Sequence, residues 1–72
     1  MKKITNWPTL ENEGGWRRIA NSPRMFPTLF RFHRGKAQTI SFNFQTRLWE
    51  LDQQNDIIAG GDLEFCLLSA DQ

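Results

Sequence analysis

His33 is the only histidine of the chain, and with Ser41 and Asp52 it supplies the residue types of a base, a nucleophile and an orienting acid. Such a set could carry acyl transfer if the nucleophile lay within hydrogen-bond reach of the base, beside an oxyanion hole. Neighbouring positions on an open sheet offer no water-excluded pocket, so no catalytic residue is expected and the chain is read as a non-enzyme. His33 and the scattered carboxylates lack the spacing of metal ligands. Cys66 is the single cysteine. It can form neither an intramolecular disulfide nor a multi-cysteine zinc site, and it reads as a small hydrophobe in mid-strand. Gly14-Gly15 and Gly60-Gly61-Asp62 lack the flanking pattern of a phosphate loop and read as turns. No metal and no cofactor is expected.

The richer set is basic and aromatic: Trp16, Arg17, Arg18, Arg24, Phe26, Arg31, His33, Arg34 and Lys36. Residues 1–36 hold eight Lys/Arg against two acids, a balance of +6, whereas residues 37–72 hold one Arg against six acids, a balance of −5. Such asymmetry marks either an anionic partner for one half or attraction between the two halves of the fold. The candidate partner-binding residues are Trp16, Arg17, Arg18, Arg31, His33, Arg34 and Lys36. The partner they suit is another protein with an acidic surface. Single-stranded nucleic acid is the alternative, with Trp16 and Phe26 as stacking platforms over a cationic groove. Against it stand a net charge of only +1 and the lack of an aromatic-rich RNA-binding motif.

These residues need elements to position them. Thr28 to His33 and Thr39 to Phe44 alternate apolar and polar residues, the mark of strands with one dry and one wet face. The alternation assigns Phe30, Phe32, Ile40 and Phe42 to the dry face, together with Phe65. Pairing apolar with apolar sets Phe32 opposite Ile40 across a five-residue loop, Arg34 to Gln38, or Phe30 opposite Ile40 across a three-residue loop. A two-residue loop would set each Phe against a Ser or Thr, so an odd loop is expected. Arg31 and His33 then belong to the wet face, Arg31 beside Ser41 and His33 beside Thr39.

Trp49 and Leu51 place an even loop around Gln45-Thr46, with Phe42 opposite Trp49, Ile40 opposite Leu51, Ser41 beside Glu50 and Thr39 beside Asp52. The rival reading of this region is a helix at about 47–59, capped by Thr46 and stopped by Gly60. In the strand reading, Gln53 to Asp56 turn, Ile57 to Ala59 pair briefly, and Asp62 to Ser69 form a last strand with Leu63, Phe65 and Leu67 on one face. Earlier in the chain, Gly15 to Ala20 suggests a short strand and Asn21 to Arg24 a turn. Residues 1–14 read as an irregular entry.

The expected fold is therefore mainly β: a small antiparallel meander or partly open barrel with at most one short helix. The alternative is α+β with the helix at 47–59. Seventy-two residues make one small domain. Six Phe and three Trp argue against disorder. The start Met1-Lys2-Lys3 resembles the basic end of a signal peptide, but Asn6-Trp7-Pro8 follows where an apolar stretch should begin. Apolar runs reach only three residues, as in Ile57-Ile58-Ala59, too short to span a membrane. The expected location is the cytoplasm, of a bacterial or phage-infected cell. The expected role is that of a protein-binding module, an adaptor, inhibitor or assembly factor. Self-association through a strand edge is a further possibility.

Overall fold

The computed structural model describes residues 14–23 and 25–72. A five-stranded antiparallel sheet runs in simple sequence order: β1 (Arg17–Arg18), β2 (Leu29–His33), β3 (Lys36–Asn43), β4 (Leu48–Gln53) and β5 (Asp56–Gly61). Among the described residues one helix, α1 (Leu63–Ala70), follows β5 and packs on β4, β5 and β3. The fold is the expected mainly β antiparallel meander, in the form of an open sheet rather than a partly open barrel. The irregular entry expected at 1–14 falls outside the described residues, apart from Gly14, and so does Arg24.

Turn chemistry sets the registers. Arg34 and Gly35 have φ of 53° and 78°, and Gln54 and Asn55 have φ of 51° and 70°. Two successive left-handed residues are what a two-residue type I′ hairpin loop requires. Glycine reaches that region without strain, which is why Gly35 matters at its position. The β3–β4 loop is longer, Phe44 to Arg47. Asn43 stiffens it by accepting from the amides of Gln45 and Thr46 through its Oδ1, at 2.9 and 3.3 Å. The Arg47 amide donates to the Asn43 carbonyl at 2.7 Å. This even loop pairs Phe42 with Trp49, Ser41 with Glu50, Ile40 with Leu51 and Thr39 with Asp52, the expected register. Residues 47–59 are strand, turn and strand, not helix.

The β2–β3 hairpin departs from expectation. Its loop has two residues, so Leu29 pairs with Ile40, Phe30 with Thr39 and Arg31 with Gln38. Phe30 and Phe32 are thereby turned away from the core. Leu29 and Arg31 face inward in their place, at 0% and 7% exposure. The loop's left-handed geometry at Arg34-Gly35 won over the matching of apolar faces.

The last element also differs. Residues 63–70 form a helix where a strand was expected. Leu63, Cys66, Leu67 and Ala70 follow the i, i+3, i+4, i+7 spacing of a buried helical stripe, and the last three of them are buried. Asp62 caps the start, its carboxylate accepting from the Phe65 amide at 2.7 Å. Phe65 sits off the stripe and is half exposed, not in the core. Gly60 and Gly61 are strand residues opposite Glu50 and Trp49 rather than a turn. A Cβ on Gly61 would stand 3.1 Å from the Phe65 ring, so the glycine admits the helix at close range.

The core lies between the sheet and α1: Trp16, Leu29, Ile40, Trp49, Leu51, Cys66, Leu67 and Ala70, with Phe26, Phe42, Ala59 and Leu63 packed against it. Phe26 stacks on Phe42 at 4.3 Å between ring centroids, and Phe42 meets Trp49 edge-on at 5.4 Å. Offset stacked and edge-on rings are the arrangements aromatic quadrupoles favour.

Candidate binding face

The register divides the candidate residues between two faces. On the inner face, Arg31 makes four hydrogen bonds. Its Nε donates to Gln38 Oε1 at 2.7 Å, Nη1 to the Gly14 carbonyl at 3.0 Å, and Nη2 to the Ala70 carbonyl at 3.2 Å and to Asp71 Oδ1 at 2.7 Å. Its guanidinium lies 4.4 Å from the centroid of the Trp16 ring. Gln38 completes the network, its Nε2 donating to the Ala70 carbonyl at 2.8 Å and to Gln53 Oε1 at 3.1 Å. A cation with several donors at the C-terminal carbonyls of α1 answers both their unpaired acceptors and the helix dipole. Arg31 and Trp16, proposed from the sequence as surface residues, are thus structural. Trp16 is 2% exposed and carries the arginine on its ring.

His33 is half buried on the same inner face, and its Nε2 makes no hydrogen bond among the described residues. Ser41 and Asp52 lie on the opposite face, so the three side chains do not converge as a triad. Among the described residues no group of three or more His, Cys, Asp or Glu could hold a metal ion. The Cys66 thiol donates to the Trp49 carbonyl at 3.4 Å. Burial first, and then the nearby Asp62 carboxylate, push its pKa above the ordinary 9.0. The thiol therefore stays protonated at neutral pH, which agrees with its reading as a small packed hydrophobe.

The outer face carries what remains. Phe30 and Phe32 stand there edge to face, 5.2 Å between centroids. Phe32 is 72% exposed. Arg17 pairs with Phe30 on one side. Arg34 lies in the turn just beyond Phe32, whereas Lys36 starts β3 opposite His33 and so belongs to the inner side; both are exposed. Arg18 is exposed on β1 as well, but on the inner side of the ladder, opposite Leu29. Ala37, Thr39 and Ser41 of β3 continue the outer face, Glu50 and Asp52 of β4 follow, and Gly60 and Ile57 of β5 stand opposite them at its edge. Two strand spacings, about 10 Å, separate the phenylalanines from the two carboxylates. The face therefore grades from cationic through aromatic and hydroxyl-bearing to acidic. Parity alone signalled it: the rejected two-residue loop at Arg34-Gly35 would have placed Phe30 and Phe32 here.

Comparison with protein-family models, with curated proteins and with solved structures finds no match. No helix among the described residues is long and apolar enough to cross a membrane.

Proposed function

We propose that this chain is a protein-binding module, an adaptor, inhibitor or assembly factor without catalysis of its own, that engages another protein through the outer face of its sheet. The observation that carries this reading is Phe32, a large apolar ring left 72% exposed beside Phe30, with Arg17 opposite Phe30 on β1 and Arg34 in the adjoining turn. Exposed aromatics with an adjacent arginine have the composition of interface anchors. Arg17 and Arg34, with Lys36 at the adjoining end of the hairpin, suit an acidic group on the partner. Glu50 and Asp52 on the same face favour a partner with a basic group two strands further on.

Single-stranded nucleic acid is the second reading. It is favoured by the two phenylalanines standing on an open sheet among cations, where bases could stack. The two carboxylates weigh against it, because a phosphate chain crossing the face would pass near them, at a range where salt screens only in part.

The experiment compares wild type with Phe32→Ser and with the double reversal Arg34→Glu, Lys36→Glu. A protein captured by wild type and identified by mass spectrometry should be lost with Phe32→Ser. The double reversal should lower the on-rate at least several-fold at low salt and flatten its salt dependence, with a smaller change in off-rate. Equal capture by wild type and Phe32→Ser would overturn the assignment of this face. Tight, steeply salt-dependent binding to a random single-stranded oligonucleotide, lost with Phe32→Ser, would replace it with the nucleic-acid reading.

A further inference from the structure

The two edges of the sheet differ. β1 closes one edge with two residues, whereas β5 presents six residues, Asp56–Gly61, to which no other strand among the described residues pairs on its far side. Long edge strands are templates for further pairing, and proteins that avoid it place Lys or Pro along them or bulge them. β5 has no Lys or Pro and a single bulge. Its sequence, Asp-Ile-Ile-Ala-Gly-Gly, holds two exposed isoleucines, Ile57 at 63% and Ile58 at 49%. Ile58 is the extra residue of a bulge: Leu51 pairs with Ala59 and Asp52 with Ile57, which leaves Ile58 without a partner on β4. Phe65 and Leu68 of α1, which packs on β5, add apolar surface at 51% and 43% exposure.

We infer that β5 pairs antiparallel with β5 of a second copy of this chain, joining two five-stranded sheets into one. The strand is complementary to itself. Its first half is bulky and its second half small, so antiparallel pairing about a two-fold axis between Ile58 and Ala59 sets Ile58 against Ala59, Ile57 against Gly60 and Asp56 against Gly61. Each large side chain meets a small one, and no two like charges stand opposite each other. An isologous pairing of this kind closes on itself and stops at two copies. The net charge of +1 per chain offers little repulsion to the approach. The axis runs perpendicular to the sheet, so both outer faces look the same way and the dimer presents the binding face twice.

Sedimentation over a wide concentration range tests this. Wild type should reach twice the 8.5 kDa mass of the chain, whereas Ile57→Lys and Ile58→Lys should remain at the single-chain mass with unchanged circular dichroism. Met25→Lys alters a still more exposed apolar side chain elsewhere and should dimerise like wild type. Hydrogen exchange of wild type should show β5 amides gaining protection as concentration rises. A wild type monomeric at every concentration would overturn the inference, as would a dimer that survives both β5 lysines or one that Met25→Lys abolishes. Ile57 stands opposite Asp52 at the acidic end of the outer face, but Phe30, Phe32 and Arg17 lie three or more strands from β5 and are unchanged, so a β5 lysine that abolishes the dimer while capture of the partner persists separates the two readings.

Discussion

The two faces of β2 invert the usual order of a sheet. The inner face buries an arginine, and the outer face leaves a phenylalanine 72% exposed. Burial is decided by whether a group's needs are met, not by polarity alone. Arg31 meets acceptors from Gly14, Gln38, Ala70 and Asp71 on all sides and lies over an indole. Phe32 has a ring neighbour in Phe30 but no covering layer among the described residues. The inner face is a structural polar core, and the outer face is a surface with a cost in water that a partner would remove.

Substitution can break this comparison. Leu51→Ala, at a position with no exposure, should destabilise most, by about 2–5 kcal/mol through lost burial and a cavity. Arg31→Met should follow at about 3 kcal/mol, because it leaves carbonyl acceptors short of donors in a dry site. Asp71→Ala should cost less than about 1 kcal/mol, since that end of the ion pair is 64% exposed. Phe32→Ser should change stability least, within about 0.5 kcal/mol. Urea unfolding of the four variants checks the order. A Phe32→Ser cost equal to that of Leu51→Ala would place Phe32 in a core and reverse the two faces.

Alkaline unfolding sharpens the same contrast from the side of α1. The folded thiol of Cys66 titrates above 9.0, so the unfolded chain loses its proton first as pH rises. Stability from this group is full below 9.0, falls as pH climbs beyond it and levels off above the folded value. Cys66→Ala should remove that part of the slope. If stability measured between pH 8 and 11 declines identically in both proteins, the inner side is wetter at Cys66 than its burial implies.

The β3–β4 half of the sheet was legible in the sequence because alternation and turn length agreed there. Phe42, Ile40, Trp49 and Leu51 all point one way, and the even loop matches them. In β2 the two signals conflicted. Phe30 and Phe32 alternate as a core face should, while Arg34-Gly35 supplies the left-handed pair that a two-residue loop needs. Weighting apolar matching over turn chemistry reversed the strand and hid both the buried arginine and the exposed ring pair. The helix was missed for a related reason. Leu63, Phe65 and Leu67 alternate as in a strand, but Asp62 is an N-cap and Leu63, Cys66, Leu67 and Ala70 complete a helical stripe. Of the candidate site, Arg17, Arg18, Arg34 and Lys36 are exposed, but the register puts Arg17 on the outer side and Arg18 and Lys36 on the inner side. Arg31 could not be recognised as buried, because its partners Gly14 and Ala70 are remote in sequence, and Trp16 could not because the guanidinium on its ring comes from another strand.

The hydrogen bond from Arg31 to the Ala70 carbonyl joins residues 39 apart, while every strand pair in the sheet joins neighbours in the chain. Closing a hairpin is cheap in chain entropy, and closing this long loop is dearer. The meander can therefore zip early, with the guanidinium still solvated, and α1 can dock on it afterwards. In kinetic terms the arginine network belongs to the native side of the barrier. Arg31→Met should then accelerate unfolding and leave the refolding rate nearly unchanged in stopped-flow measurements, whereas equal effects on both rates would place the network within the folding nucleus. The side chain that looked from the sequence like a hand held out to a partner acts instead as the bolt that keeps the folded chain from reopening.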